Sequence, residues 1–311
     1  IETLLRSMAH YASACRVGDT VCVEFGDDDE GVIFNPCVEK PFYLGYVLAF
    51  VSLEVADVQR WANDCDSYEQ LRWLFEKSAF EAVGALSLYK PRRIESFEQG
   101  GVTIVRSSDG RIVLAFDHGP LGFGPLAAHG HADALSVQLV IDGKPILIDP
   151  GTYIYNGNRE KRDLFRSTAM HNTVCVNGAN QSEMLGPFLW GRKAKAGSFE
   201  VDDSGDVISL AACHDGYSPA IHRRLIYLSD SILRIVDEVD CAAQGAAVCF
   251  HMPKPEDALG ICLTFAAQEV REVRSEFKYS PAYGALAEGV EIKVPFEGQI
   301  VSEIHFEKDG R

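Results

Sequence analysis

The stretch that decides the fold runs from His129 to Gly178: HGHADALSVQLVIDGKPILIDPGTYIY at 129–155, then FRSTAMHNTVCVNG at 165–178. Leu135–Ile141 and Pro145–Asp149 are short, apolar and rich in β-branched residues, which predicts a pair of buried strands. Asp149 closes the second one just before Pro150-Gly151, an uncomfortable place for a charge unless something neutralises it. Thr173–Val176 predicts another strand directly after His171-Asn172.

The same pattern extends outward from this stretch. Val102–Val105 and Ile112–Phe116 flank Ser107-Ser108-Asp109-Gly110, a composition suited to a tight hairpin turn. Downstream, Val207–Ala211, His222–Leu228, Ile232–Val236, Ala246–His251 and Ile300–Phe306 read as further strands, several with apolar and polar residues alternating. Many short strands separated by Gly, Asp and Ser turns predict an antiparallel sandwich or barrel. Before Lys90-Pro91 the pattern is helical. Leu4, Leu5, Met8, Tyr11 and Ala12 recur with a period near 3.6, and Ser67 with Gln70 resembles a capping box opening a helix through Leu71, Leu74 and Phe75. The expected fold is mainly β with an α-helical N-terminal part. Residues 1–90 form the helical segment and 91–311 a large antiparallel β-sandwich, with the boundary near 88–96.

Composition narrows the function classes. A formal net charge of -16 argues against general nucleic-acid binding, which needs a basic footprint. It leaves an anionic sugar open, because a cleft answers to local charge. The longest apolar run, Phe42 to Leu53, is too short to span a bilayer and stops at Glu54, so no membrane span is expected. The nine cysteines are scattered without a CxxC, which suggests neither a zinc knuckle nor a dense disulfide framework. Cys175 and Cys249 read as small buried hydrophobes. A start at Ile1, with no Met or signal-like stretch, is read as an expressed fragment or processed chain whose targeting signal is not visible. Gly26-Asp27-Asp28-Asp29-Glu30-Gly31 matches no EF-hand spacing and is expected to be a solvated inter-helix loop.

The dense run of imidazole, carboxylate and phenol groups carries the chemistry. His131, Asp149 and His171 could offer two imidazoles and a carboxylate to a metal such as zinc, with a fourth position left for water or another ligand. Taken singly, each also has an ordinary reading: a strand histidine satisfied by its neighbours, or an Asp-Pro-Gly turn. Arg159, Lys161, Arg162 and Arg166 form a local basic cluster that could attract a polyuronate. The alternative is that Arg166 pairs with a carboxylate and the others are solvated.

The two quoted segments together resemble the sandwich domain of heparinase II/III-like lyases. That resemblance implies that residues 1–90 are the last helices of an (α/α) toroid placed before the sandwich. It implies β-elimination at a uronic acid in an anionic polysaccharide or oligosaccharide of the heparin, heparan sulfate, alginate or exopolysaccharide kind. It further implies a structural zinc held by His131, Asp149 and His171, with His129 facing substrate as base or as neutraliser of the sugar carboxylate. Tyr155, with Tyr153 as second choice, is expected to line the cleft. Arg159, Arg162 and Arg166 would bind substrate, and Asn172 would support the loop. Because i and i+2 share a face in a regular strand, Gly130 is expected to kink the chain and part the two histidines.

The principal catalytic tyrosine of such lyases, and usually an Asn, Gln or Glu that neutralises the sugar carboxylate, belong to upstream toroid helices. The chain by itself is therefore expected to be catalytically incomplete. The family points to a periplasmic or secreted location, and a homo-oligomer is compatible with all of this. Two other readings stand beside it. One is a non-catalytic carbohydrate-binding or assembly module on the same fold. The other is a cupin-type metalloenzyme, for which HxH and a later carboxylate are suggestive but the second cupin segment is not evident.

Overall fold

A computed structural model of the chain describes residues 1–18, 21–29, 43–55, 59–240, 245–254, 261–267 and 269–306. Glu30, Gly31, Cys37, Phe42 and Cys241, which entered the sequence reading, lie outside the described residues. The chain divides into two compact units, residues 1–23 with 30–95, and residues 24–29 with 96–311.

The first unit is helical. Its three longer helices are Glu2–Cys15, Tyr43–Glu54 and Lys77–Gly84. Tyr43–Glu54 is apolar nearly all round, as a helix enclosed by its neighbours must be. It buries Leu48, Ala49, Val51 and Leu53 in a core shared with Trp61, Leu71, Phe80 and Val83. Its one buried hydroxyl is satisfied: Ser52 Oγ donates to the Leu48 carbonyl and accepts from the Trp61 N–H. The expected capping box does not form. Ser67 Oγ turns back to the Asp64 carbonyl at 3.0 Å, and the following helix is a single turn, Glu69–Arg72, with Tyr68 at its N-cap.

The second unit is an antiparallel β-sandwich built from three main sheets. The first runs in the order Ile94–Phe97, Val102–Arg106, Ile112–Asp117, Val137–Ile141, Lys144–Leu147. The second has six strands, in the order Ala196–Asp202, Ile208–Tyr217, Ala220–Leu228, Ile232–Val239, Gln299–Phe306, Ile261–Ala266. The third has four: Val174–Val176, Ala246–Pro253, Ala287–Phe296 and Val273–Tyr279. Val137–Ile141 is buried at every position, including Gln138, whose side-chain amide is paired with the Glu24 backbone. Ala220–Leu228 instead alternates buried and more exposed residues, as a strand with one covered face does.

One register within the six-stranded sheet bears on the site. Arg224 lies opposite Asp237 on the neighbouring strand, and both side chains are fully buried. The guanidinium pairs with the carboxylate through Nε at 2.7 Å and Nη2 at 3.0 Å, while Nη1 donates to the carbonyls of Leu135 and Asn172, each at 2.6 Å. A buried ion pair thus braces the backbone within both quoted segments.

Candidate metal centre and the surface above it

The segments that carry the centre are tied together by backbone. A short helix, Arg159–Phe165, opens with Asn158 Oδ1 accepting the Lys161 N–H, an ordinary side-chain cap. Beyond it the 3-10 turn Thr168–Met170 delivers His171. Ala132 N–H donates to the Arg166 carbonyl at 2.9 Å and Thr168 Oγ1 to the Ala132 carbonyl at 2.7 Å, which pins residues 131–133 to 166–171. Asn172 locks the underside. Its Nδ2 donates to the carbonyls of Val137 and Ile148, and its Oδ1 accepts the His251 N–H. It acts as a brace, as the sequence suggested.

His131 Nδ1 and His171 Nε2 lie 3.1 Å apart, and Asp149 Oδ2 is 3.5 Å from the same His171 nitrogen. Asp133, which the sequence reading left out, joins them, and one ligand atom from each of the four residues lies within 4.8 Å of the others. The outer nitrogens fix the tautomers. His171 Nδ1 donates to the Ser167 carbonyl at 2.7 Å, and His131 Nε2 donates to Asp27 Oδ1 at 3.0 Å. With both rings neutral, the inward nitrogens would present lone pairs to each other in a buried site. A cation resolves that conflict. Metal–nitrogen bonds of about 2.0–2.1 Å at a tetrahedral angle hold their donors roughly 3.3 Å apart, between the two observed separations. The donor set fits a divalent ion.

Electrostatics agree. Burial pushes Asp149 up to about 6 and lowers His171 well below its ordinary value, the latter helped by His131. Asp133 is raised well above the usual carboxylate range by burial and by the charges of Asp117 and Asp149. Burial lifts Asp117 to about 7 against the Gly119 N–H that favours its charged form. Three buried carboxylates close together are costly without a positive charge among them.

The acidic loop is the largest departure from the sequence reading. Asp27 is not solvated: its side chain is fully buried. Arg162 Nη1 and Nη2 grip it at 2.5 and 2.6 Å, His131 Nε2 binds one oxygen, and His129 Nδ1 lies 3.2 Å from the other. Burial alone would raise its pKa, but the bonds from His131 and Arg162 win and hold it at about 2. Gly26 makes this seat possible. Its φ is +68°, and a Cβ there would lie 2.5 Å from the His129 carbonyl oxygen, which accepts the Asp27 N–H. A carboxylate on the outer nitrogen of a ligand histidine is the usual orienting partner in metal sites.

His129 and His131 part as expected, one ring 63% exposed and the other buried, yet both reach the same carboxylate. They sit in a turn rather than a strand. Gly130 is needed there because its Cβ would meet the Gly122 backbone at 2.9–3.0 Å. Above the centre, the His129 ring lies 5.8 Å from Tyr155 and 5.6 Å from Phe188, and Tyr155 also packs on Tyr283 at 5.3 Å. Phe188 and Tyr283 were missed in the sequence, where neither carries a motif. Burial first, then Asp27 and Asp29, push the Tyr155 phenol upward, so it stays protonated and can give a proton rather than take one. Tyr153 packs instead with Ile148, Phe165, Met170 and Phe277.

The basic cluster is redistributed. Arg162 is 1% exposed, stacked over Tyr155 and Phe188 and engaged with Asp27. Arg166 is fully buried, bonded to Asp163 and to the Gly186 carbonyl, over the Trp190 ring. Neither is presented to a polymer; both are internal cations. Arg159 is half exposed but paired with Asp163, and Lys161 sits over the Tyr153 ring.

Comparison with known proteins adds lineage to this geometry. The family model described as heparinase II/III-like, C-terminal, matches residues 89–284. A heparin-sulfate lyase of Bacteroides stercoris is 30% identical over 184 residues, covering 56% of this chain and 25% of that protein. Among solved structures, a heparinase III aligns with a TM-score of 0.70 at 17% identity, over 96% of this chain and 46% of the other. The heparan sulfate lyase HepC of Pedobacter heparinus gives 0.66 at 15% identity, over 98% and 47%. At such identities the structural likeness speaks for the fold. The chain spans a quarter of the curated relative and about half of each solved chain.

Proposed function

We propose, from the premise that this chain belongs to the heparinase II/III-like C-terminal family, that it is the sandwich-bearing part of a lyase cleaving a uronate-containing polysaccharide by β-elimination. Residues 1–90 are read as closing helices of a toroid. The site of action is read as periplasmic or secreted.

The observation that carries the reading is the layering of the centre. A buried donor set, His131, Asp149 and His171 with Asp133 beside it, lies under an exposed His129 anchored through Asp27. Zinc is the ion proposed, and when bound it would order these loops, with its bonds made by the inward nitrogens and the Asp149 carboxylate. In the reaction, His129 Nε2 takes the C5 proton of the uronate while Nδ1–H stays on Asp27. The C–H electron pair forms the C4=C5 double bond and the C4–O4 bond breaks. The departing O4 takes a proton from the Tyr155 phenol, which burial keeps in its protonated form. The protonated His129 then returns that proton to Tyr155 through water. Arg162 neutralises Asp27, so that a sugar carboxylate meets no net negative charge there.

The test is incubation of the longer protein with heparan sulfate, heparin and alginate, following the ultraviolet absorbance of an unsaturated uronate. Rising absorbance that His129→Ala abolishes, with metal content intact, is expected. Products without that absorbance overturn elimination. Saccharide binding without any product would favour a non-catalytic module.

A further inference from the structure

We propose a second binding site for anionic sugar in the second unit, in the cleft between loop 118–124 and residues 192–199. It rests on the reading of the protein as one that handles an acidic polysaccharide. The cleft has a volume of about 1090 Å³, at the upper end of small-molecule sites.

Its lining reverses the charge of the chain. The sequence has 45 acidic residues against 29 basic ones, yet Arg192, Lys193 and Lys195 line this cleft with Glu98 as the lining carboxylate. The nearby acids are occupied from behind: Asp215 accepts the Lys195 backbone N–H and Glu183 that of Arg192. Two of the cations are pre-positioned, since Arg192 Nη2 donates to the Gly216 carbonyl at 2.8 Å and Lys193 Nζ donates to the Pro125 carbonyl. Pre-positioned cations lose less freedom on binding an anion.

The floor is aromatic. The rings of His118 and Phe199 stack with centroids 3.6 Å apart and planes 5° from parallel. His118 is buried and held at Nε2 by Thr103 Oγ1 at 3.0 Å, itself 2.8 Å from Ser96 Oγ. Burial keeps this imidazole neutral, at about 4, so it backs the phenyl ring rather than adding charge. The rim loop carries Phe123, 99% exposed, between two cleft-lining glycines. A rigid ring for the C–H face of a pyranose, with cations beside it for sulfate or carboxylate, is what an acidic sugar unit requires.

The experiment is calorimetric titration of this chain with a heparin-derived hexasaccharide, and with maltohexaose as the uncharged probe. The chain is expected to bind the first and not the second. The variant K193E/K195E should bind about tenfold more weakly or worse, a change of about 1.4 kcal/mol. K193R/K195R should bind like the parent. A matched reversal in the first unit, K77E/K90E, should leave the affinity unchanged, and Phe199→Leu should weaken it without changing the melting temperature. Unchanged affinity in K193E/K195E, equal binding of maltohexaose, or no hexasaccharide binding by the parent chain would each overturn the site. None of these results touches the elimination reaction, which is read separately from unsaturated product.

Discussion

Replacing Asp27 by asparagine keeps the size of the side chain and removes its charge. Arg162, 1% exposed, would then hold a buried positive charge without its carboxylate, and His131 would lose its charged acceptor. Breaking a buried pair from one side costs roughly 3–5 kcal/mol. Asparagine keeps one oxygen acceptor, so the lower end, about 3 kcal/mol, is expected. In a β unit of this size each kcal/mol lowers the melting temperature by about 2–4 °C, which puts the drop near 6–12 °C. Removing the orphaned charge as well should return part of the loss, so Asp27→Asn/Arg162→Gln is expected to be less damaging than the sum of the single variants, with a coupling of about 2 kcal/mol or more. Thermal unfolding followed by circular dichroism at neutral pH, on the four proteins of the cycle, reads this directly. A D27N protein that melts within about 1 °C of the parent, or strict additivity in the cycle, would refute the placement of Asp27 as the buried link between Arg162 and the histidines.

Three further expectations follow from the same packing. Burial would raise Asp237, but Arg224 and His222 outweigh it and hold it at about 2. A folded value below the unfolded one means that its stabilisation is complete above about pH 4 and is lost as pH falls toward 2, on the order of 2 kcal/mol. Acid unfolding of Asp237→Asn should lack that part of the slope, and an unaltered slope would show the carboxylate is not held down. Gly26→Ala forces a Cβ against the His129 carbonyl at positive φ, for an expected cost of roughly 1–3 kcal/mol; parent-like unfolding in urea would mean residues 24–29 are not seated as described. Asn172→Ala strips the partners from two buried carbonyls and one buried N–H, at about 1–3 kcal/mol each, and a total loss below about 1 kcal/mol would remove its bracing role.

What the sequence disclosed and what it hid follow from how each feature is encoded. Strands with a covered face announced themselves, because alternation in Ala220–Leu228 and the largely apolar run in Val137–Ile141 are local signals. Ala196–Asp202 and Val273–Tyr279 went unread because they are largely exposed edge strands, with little apolar pattern to see. That His131, His171 and Asp149 come together was suggested by residue type and position beside turns. Asp27 was not, since one acid among four in a row looks solvated. The only local hint was the preceding glycine, and what buries it is Arg162, far along the chain. The same long-range pairing concealed the internal roles of Arg162 and Arg166, which composition alone presents as surface charge.

The most direct test of the account is elemental analysis of the purified chain after dialysis, set beside His131→Ala and Asp149→Ala. One zinc per chain is predicted for the parent, with loss of the metal and a lowered melting temperature in both variants, because binding free energy at such a site is folding free energy. Metal retained in either variant, or a metal-free parent whose melting temperature does not respond to added zinc, would contradict the central claim.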